Sequence, residues 1–126
     1  MKKLFLFSSL LLILGLTAIS FAQNQVASGT WGINTSTTDY TLATNEGERS
    51  MTVNVSFAEP FDMKPDVVVG VTMLDASNQT MIRYSVTPMA ISRDGFSIKV
   101  ATWGDTQLMG IKGFWLAHAT ATMGEE

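Results

Sequence analysis

The sequence predicts one all-β domain, an antiparallel sandwich or barrel of six short strands. Three observations carry this: from Thr30 onward apolar residues recur with a period of two, turn-forming residues separate the runs at short intervals, and the near-continuous apolar run from Val67 to Leu74 is too short and too β-branched for a helix. The chain has 126 residues and no cysteine, so its core forms without disulfides. Lys+Arg number 8 against Asp+Glu 11. That mildly acidic balance lacks the clustered cations that nucleic-acid binding requires.

The N-terminal segment is for export. Met1-Lys2-Lys3 is a basic start, Leu4 to Ile19 is dominated by Leu, Phe and Ile, and Ser20-Phe21-Ala22 offers small residues before polar Gln23-Asn24-Gln25. This is the three-part pattern of a secretory signal peptide. The run is also long enough for a retained membrane anchor, but its small-residue exit favours cleavage. Residues 1–22 are thus expected to be removed, leaving Gln23–Glu126 as one domain, secreted, periplasmic or on the cell surface, with no transmembrane anchor. The short form with two lysines reads as bacterial.

The strands follow in order. A weak one spans Thr30 to Thr35, interrupted by Gly32 and preceded by Gly29. Met51, Val53, Val55 and Phe57 alternate with Thr52, Asn54 and Ser56, a half-buried strand. Val67 to Leu74 is too short and too β-branched for a helix. From Met81 to Thr87, Ile82, Tyr84 and Val86 share one face and Arg83, Ser85 and Thr87 the other, with Pro88 as the limit. Phe96, Ile98 and Val100 alternate with Ser97, Lys99 and Ala101. Between Lys112 and Ala121, Trp115, Ala117 and Ala119 oppose Phe114, Leu116 and His118, which makes Trp115 a core residue.

Between the strands, Pro60 and Pro65 mark a loop, while Asp75-Ala76-Ser77-Asn78 and Ser92-Arg93-Asp94-Gly95 have hairpin-turn chemistry. Gly104, Gly110 and Gly113 break up the final connection.

Little of this suggests catalysis. A zinc site needs four N/S ligands, and the only candidate is His118. No Gly-x-Ser-x-Gly elbow accompanies that histidine. The acids show no spacing that marks a glycosidase pair. No enzyme activity, metal or cofactor is expected. Three Asn-x-Ser/Thr sequons, at Asn34, Asn54 and Asn78, are of the kind that Thr- and Ser-rich strands produce by chance.

The informative cluster is Thr102-Trp103-Gly104-Asp105-Thr106. A loop indole can stack on the apolar face of a sugar while a nearby carboxylate accepts from its hydroxyls. The same residues also fit a rim aromatic and a turn-forming Asp. Trp31 and Tyr40 are ambiguous, and Glu46-Gly47-Glu48-Arg49 forms a second acidic loop.

The chain also resembles the H-type lectin domain, the family of snail agglutinins and the discoidin C-terminal domain. The match runs through Val53-x-Val55-x-Phe57, Phe61, Pro65, the valine run to Leu74-Asp75, Arg83, Val86, Gly95-Phe96, Thr102-Trp103-x-Asp105-Thr106 and Trp115-Leu116-Ala117. It spans roughly Ser28 to Ala121. The resemblance implies a six-stranded antiparallel β-sandwich that forms a homo-oligomer, trimer or hexamer, and binds galactose or N-acetylgalactosamine on glycans between subunits. Glu46 corresponds best to the acidic sugar ligand of the loop before the second strand, and Trp103 to the loop indole. Gly104 stands where snail lectins have a polar ring. Thr87 stands where they present an Arg from the adjacent subunit, and the nearest basic group is Arg83. The carbohydrate-binding residues expected are therefore Glu46, Arg83, Trp103, Gly104 and Asp105. They would serve a lectin acting multivalently in adhesion. The alternative is a structural or partner-binding oligomerisation module without a functional sugar site, which Gly104 and Thr87 favour.

Overall fold

The computed structural model describes residues 24–44 and 46–120. The expected signal peptide, residues 1–22, lies outside them. Six strands make up the regular structure: β1 (Asn24–Asn34), β2 (Arg49–Ser56), β3 (Asp66–Ala76), β4 (Tyr84–Met89), β5 (Gly95–Thr102) and β6 (Leu108–Thr120). They form two three-stranded antiparallel sheets, ordered β1-β6-β3 and β2-β5-β4. This is a sandwich, as the alternation and the resemblance both imply. The described residues contain no helix.

Each sheet turns one set of alternate residues inward, because successive side chains of a strand point to opposite faces. Ile98 and Val100 of β5 meet Ile111, Trp115 and Ala117 of β6 in the core. At one end the core is aromatic. The ring centroids of Phe57 and Trp115 are 5.7 Å apart, those of Phe96 and Trp115 5.5 Å, and Phe61 lies 4.9 Å from Phe57, edge to face. Such pairs add about 0.5–1.5 kcal/mol each beyond their burial. Trp31 is also buried, and its indole N–H donates to the Phe114 carbonyl (3.2 Å), which removes its ambiguity.

Four local expectations change. β1 begins at Asn24 and runs through both glycines, because Gly29 is an accommodation and not a break: a Cβ there would lie 2.6 Å from the Trp115 indole nitrogen. Likewise β6 begins at Leu108 and continues through Gly110 and Gly113. β4 begins at Tyr84 and extends past Pro88, which is tolerated because β4 is an edge strand. Arg83 therefore precedes the strand. Finally, Asp75-Ala76-Ser77-Asn78 is not a hairpin turn, since β3 and β4 belong to different sheets. The Ser92–Gly95 segment does close one, with Ser92 N–H donating to the Gly95 carbonyl (2.9 Å) between paired β4 and β5.

This topology sorts the connections. Those at 35–48, 77–83 and 103–107 gather at one end of the sandwich, while those at 57–65 and 90–94 lie at the other, beside the start of β1 and the end of β6.

Candidate carbohydrate site

Every residue expected at the site falls on the 35–48, 77–83 and 103–107 end. Trp103 leaves the end of β5 and is 43% exposed, so it is a rim aromatic and contributes little to the core. Gly104 adopts φ +66°, a left-handed turn conformation that suits glycine. Asp105 follows, and its Oδ1 pairs with Arg83 Nη1 at 2.9 Å. The Arg83 and Asp105 side chains remain 36% and 57% exposed. Trp103, Gly104, Asp105 and Arg83 thus form one local group built from two loops.

The backbone beneath this group is rigidly held. Thr102 and Thr106 are fully buried polar residues, and both hydroxyls are committed. Thr102 Oγ1 donates to the Arg83 carbonyl (2.6 Å). Thr106 Oγ1 donates to the Met81 carbonyl (2.6 Å) and accepts from the Arg83 N–H (3.0 Å). Burying a hydroxyl costs free energy unless it is bonded, so these two threonines fix the 103–107 loop against Met81 and Arg83.

Glu46 lies in the 35–48 connection and is exposed. It makes none of the hydrogen bonds or ion pairs found among the described residues. Its loop does adjoin the Trp103 loop: Leu108 N–H donates to the Leu42 carbonyl (2.8 Å) and Gln107 Nε2 to the Ala43 carbonyl (3.3 Å). Thr87, by contrast, lies within β4, where it is exposed and pairs with Lys99.

Sequence reasoning overlooked Arg49. Its guanidinium donates to the carbonyls of Thr44, Thr106 (2.9 Å) and Gly104 (3.4 Å), joining the loop that carries Glu46 to the loop that carries Trp103. A cation beside two acids reads as a solvated charge run, and no local spacing shows that its targets are main-chain carbonyls. Tyr40 supports the same junction. Its hydroxyl donates to the Leu108 carbonyl (2.6 Å), and burial, helped by the Asp75 charge, raises its pKa from 10.0 to about 12.

A separate cleft of about 450 Å³ lies at the opposite end, between the start of β1 and Ala58–Phe61. The loop end offers an indole and a donor–acceptor pair on an open surface. That geometry suits non-covalent recognition of a polyhydroxylated ligand.

A family model described as the H-type lectin domain matches residues 52–118, from β2 to β6. The chain belongs to the H-type lectin domain family. Two structures of discoidin II from Dictyostelium discoideum share the fold of this lectin domain. The recombinant native form has a TM-score of 0.70 and 23% identity, over 83% of this chain and 40% of that one. The wild-type form has a TM-score of 0.69 and 23% identity, over 82% and 39%. A curated relative, "ATP synthase subunits region ORF 7" of Fuscovulum blasticum, is 38% identical over 74 residues, 59% of this chain and 64% of that protein. The matched regions thus span under two-thirds of that relative and about two-fifths of discoidin II. Membership of this family points to a lectin-like, carbohydrate-binding type of module.

Proposed function

We propose that this protein is an exported lectin that binds neutral glycans at the 35–48, 77–83 and 103–107 end of the sandwich. The observation that carries the reading is the Arg83–Asp105 pair beside exposed Trp103 on an H-type lectin fold. In this reading Trp103 stacks on the sugar ring, Asp105 and Glu46 accept hydroxyl protons, and Arg83 donates. Galactose or N-acetylgalactosamine is the first sugar to test, since the family resemblance implies it.

Weak single sites act in adhesion when several are presented together. The outer face of the β1-β6-β3 sheet supports such an assembly. Val26, Val68, Phe114 and Leu116 project there and are exposed, an apolar area suited to contact with further copies in a trimer or hexamer. The same face favours a second reading, in which the domain serves only as an oligomerisation or partner-binding module.

A glycan array probed with the labelled protein, with free sugar as competitor, separates the two readings. Competed binding that Trp103→Ala abolishes at unchanged thermal stability is the expected result. Silence across the array from folded protein refutes the lectin reading. Unchanged affinity of Trp103→Ala refutes the site.

A further inference from the structure

We infer that the free edge of β1 is a self-pairing surface, on which β1 of a second copy adds antiparallel and joins two β1-β6-β3 sheets into one. The contact is made by main-chain groups at the sheet edge, is separate from the outer face considered above, and does not depend on the sugar site.

The two sheets leave four strands at an edge: β1, β3, β2 and β4. Exposed edges invite pairing with another chain unless shortness, charge, proline or a bulge prevents it. Three of the four carry such a device. β4 has 6 residues and contains Pro88. The register of β3 shifts between Val71 and Met73 and again between Asp75 and Ala76. β2 has 8 residues and opens on Arg49. β1 carries none of them: its 11 residues include no charge and no proline, and it follows β6 without a shift.

The ladder shows which of its groups are free. Thr35 N–H donates to the Met109 carbonyl (3.1 Å), one step beyond the Asn34–Gly110 pair. Hydrogen-bonded and non-bonded pairs alternate in an antiparallel ladder, so odd-numbered residues of β1 bond to β6 and even-numbered ones turn their N–H and C=O outward. Asn34 agrees with this: its N–H donates to Thr37 Oγ1 (3.0 Å) and its carbonyl accepts from Thr37 N–H (2.8 Å). The outward groups of Asn24, Val26, Ser28, Thr30 and Gly32 bond to no loop or turn among the described residues.

A second β1 fits this edge better than a charged segment, which would find no counter-charge along the strand. The five free residues are symmetric about Ser28. A two-fold there sets Asn24 opposite the copy's Gly32, Val26 opposite its Thr30 and Ser28 opposite its Ser28, with about ten inter-strand hydrogen bonds, two per pair. Val26, 66% exposed, gains a β-branched cross-strand neighbour. Past Asn24 the copy runs on towards its Asn34, where the cleft between the start of β1 and Ala58–Phe61 lies open.

Residue-resolved amide exchange, followed as concentration carries the protein through its association range in sedimentation, is the direct test. The N–H groups of Val26, Ser28, Thr30 and Gly32 should exchange about tenfold more slowly, or slower still, in the associated form. Contact through the outer face would bury side chains and leave these groups in water. Thr30→Pro removes an outward donor and no bond to β6, so it should keep the fold and abolish the slowing. The chain has no cysteine. Ser28→Cys should therefore link two copies under mild oxidation, since paired Cα atoms about 5.5 Å apart suit a disulfide, while Thr87→Cys, exposed on β4, should not.

Four results overturn the inference: a parent that stays monomeric, edge N–H groups that exchange alike at every concentration, a folded Thr30→Pro that associates like the parent with the same slowing, or equal crosslinking at positions 28 and 87. Should Thr30→Pro unfold, exchange in the parent and the two cysteine variants decide. Sugar binding is not read in any arm, so failure here leaves the lectin reading standing.

Discussion

Arg49→Met removes a guanidinium that joins two loops while keeping much of its apolar stem. Hydrogen bonds from a charged donor contribute about 1.5–3 kcal/mol each when shielded from water. Of the three carbonyls reached, Thr106 is partly shielded, Thr44 is exposed and Gly104, at 3.4 Å, is at the limit of a bond. The buried Nε has no partner among the described residues, and its desolvation offsets part of the gain. The net contribution is about 2 kcal/mol, which in a domain of about a hundred residues corresponds to a fall in Tm of roughly 8–16 °C. Calorimetry measures that fall, and amide exchange locates it. Exchange should rise in 35–48 and 103–107 before it rises in β5 and β6, with sugar affinity declining in parallel. Arg49→Lys, a single-point donor, should recover about half of the lost stability. A Tm within about 2 °C of the parent, with unchanged exchange in both loops, refutes the role of Arg49 as their clamp.

Two more outcomes follow from the loops and turns. Tyr40 has a raised pKa in the fold, so the native state favours the neutral phenol; this contribution is complete below pH 10, is lost as pH rises towards about 12, and is level beyond. Tyr40→Phe should therefore flatten the alkaline limb of a stability–pH profile measured by urea unfolding, while costing about 1 kcal/mol at neutral pH through the lost bond to Leu108. Ala90, just after β4, is held at φ +52°, a left-handed conformation that is unfavourable for a residue with a Cβ. Ala90→Gly should raise stability by about 0.5–1 kcal/mol, and a lower Tm would show that the turn does not carry that strain.

The sandwich was legible in the sequence because its inner faces alternate cleanly. The Ile98 and Val100 face, and that of Trp115, Ala117 and Ala119, are both buried as the period of two requires. Strand ends were less legible, since a glycine reads as a break unless the aromatic opposite it is known. Gly29 lies under Trp115, and at Gly113 a Cβ would run into the Gly70 carbonyl as well as the Trp31 indole nitrogen (2.7 Å), so both are continuous strand where only glycine fits. At the loop end, Trp103 and Asp105 stood out because an indole and an acid adjoin a glycine. The pairing of Arg83 with Asp105 joins residues 22 positions apart, and the reach of Arg49 to Thr106 spans 57. Contacts of that separation follow from which strands neighbour each other, and a period of two carries no information about sheet order.

The connection 103–107 joins β5 to β6, the central strands of the two sheets, while β1 starts and β6 finishes at the far end of the sandwich. A ligand held at that connection and a tether at Asn24 would pull β6 and β1 in opposite directions along their length. Their hydrogen bonds run perpendicular to the strands, from the Asn24–Thr120 pair to the Asn34–Gly110 pair. Such a load is in shear and is shared along the whole ladder instead of opening it one bond at a time. Pulled instead from Thr120, the force runs straight along β6. In either direction the load runs along the strands and their ladder instead of peeling them apart.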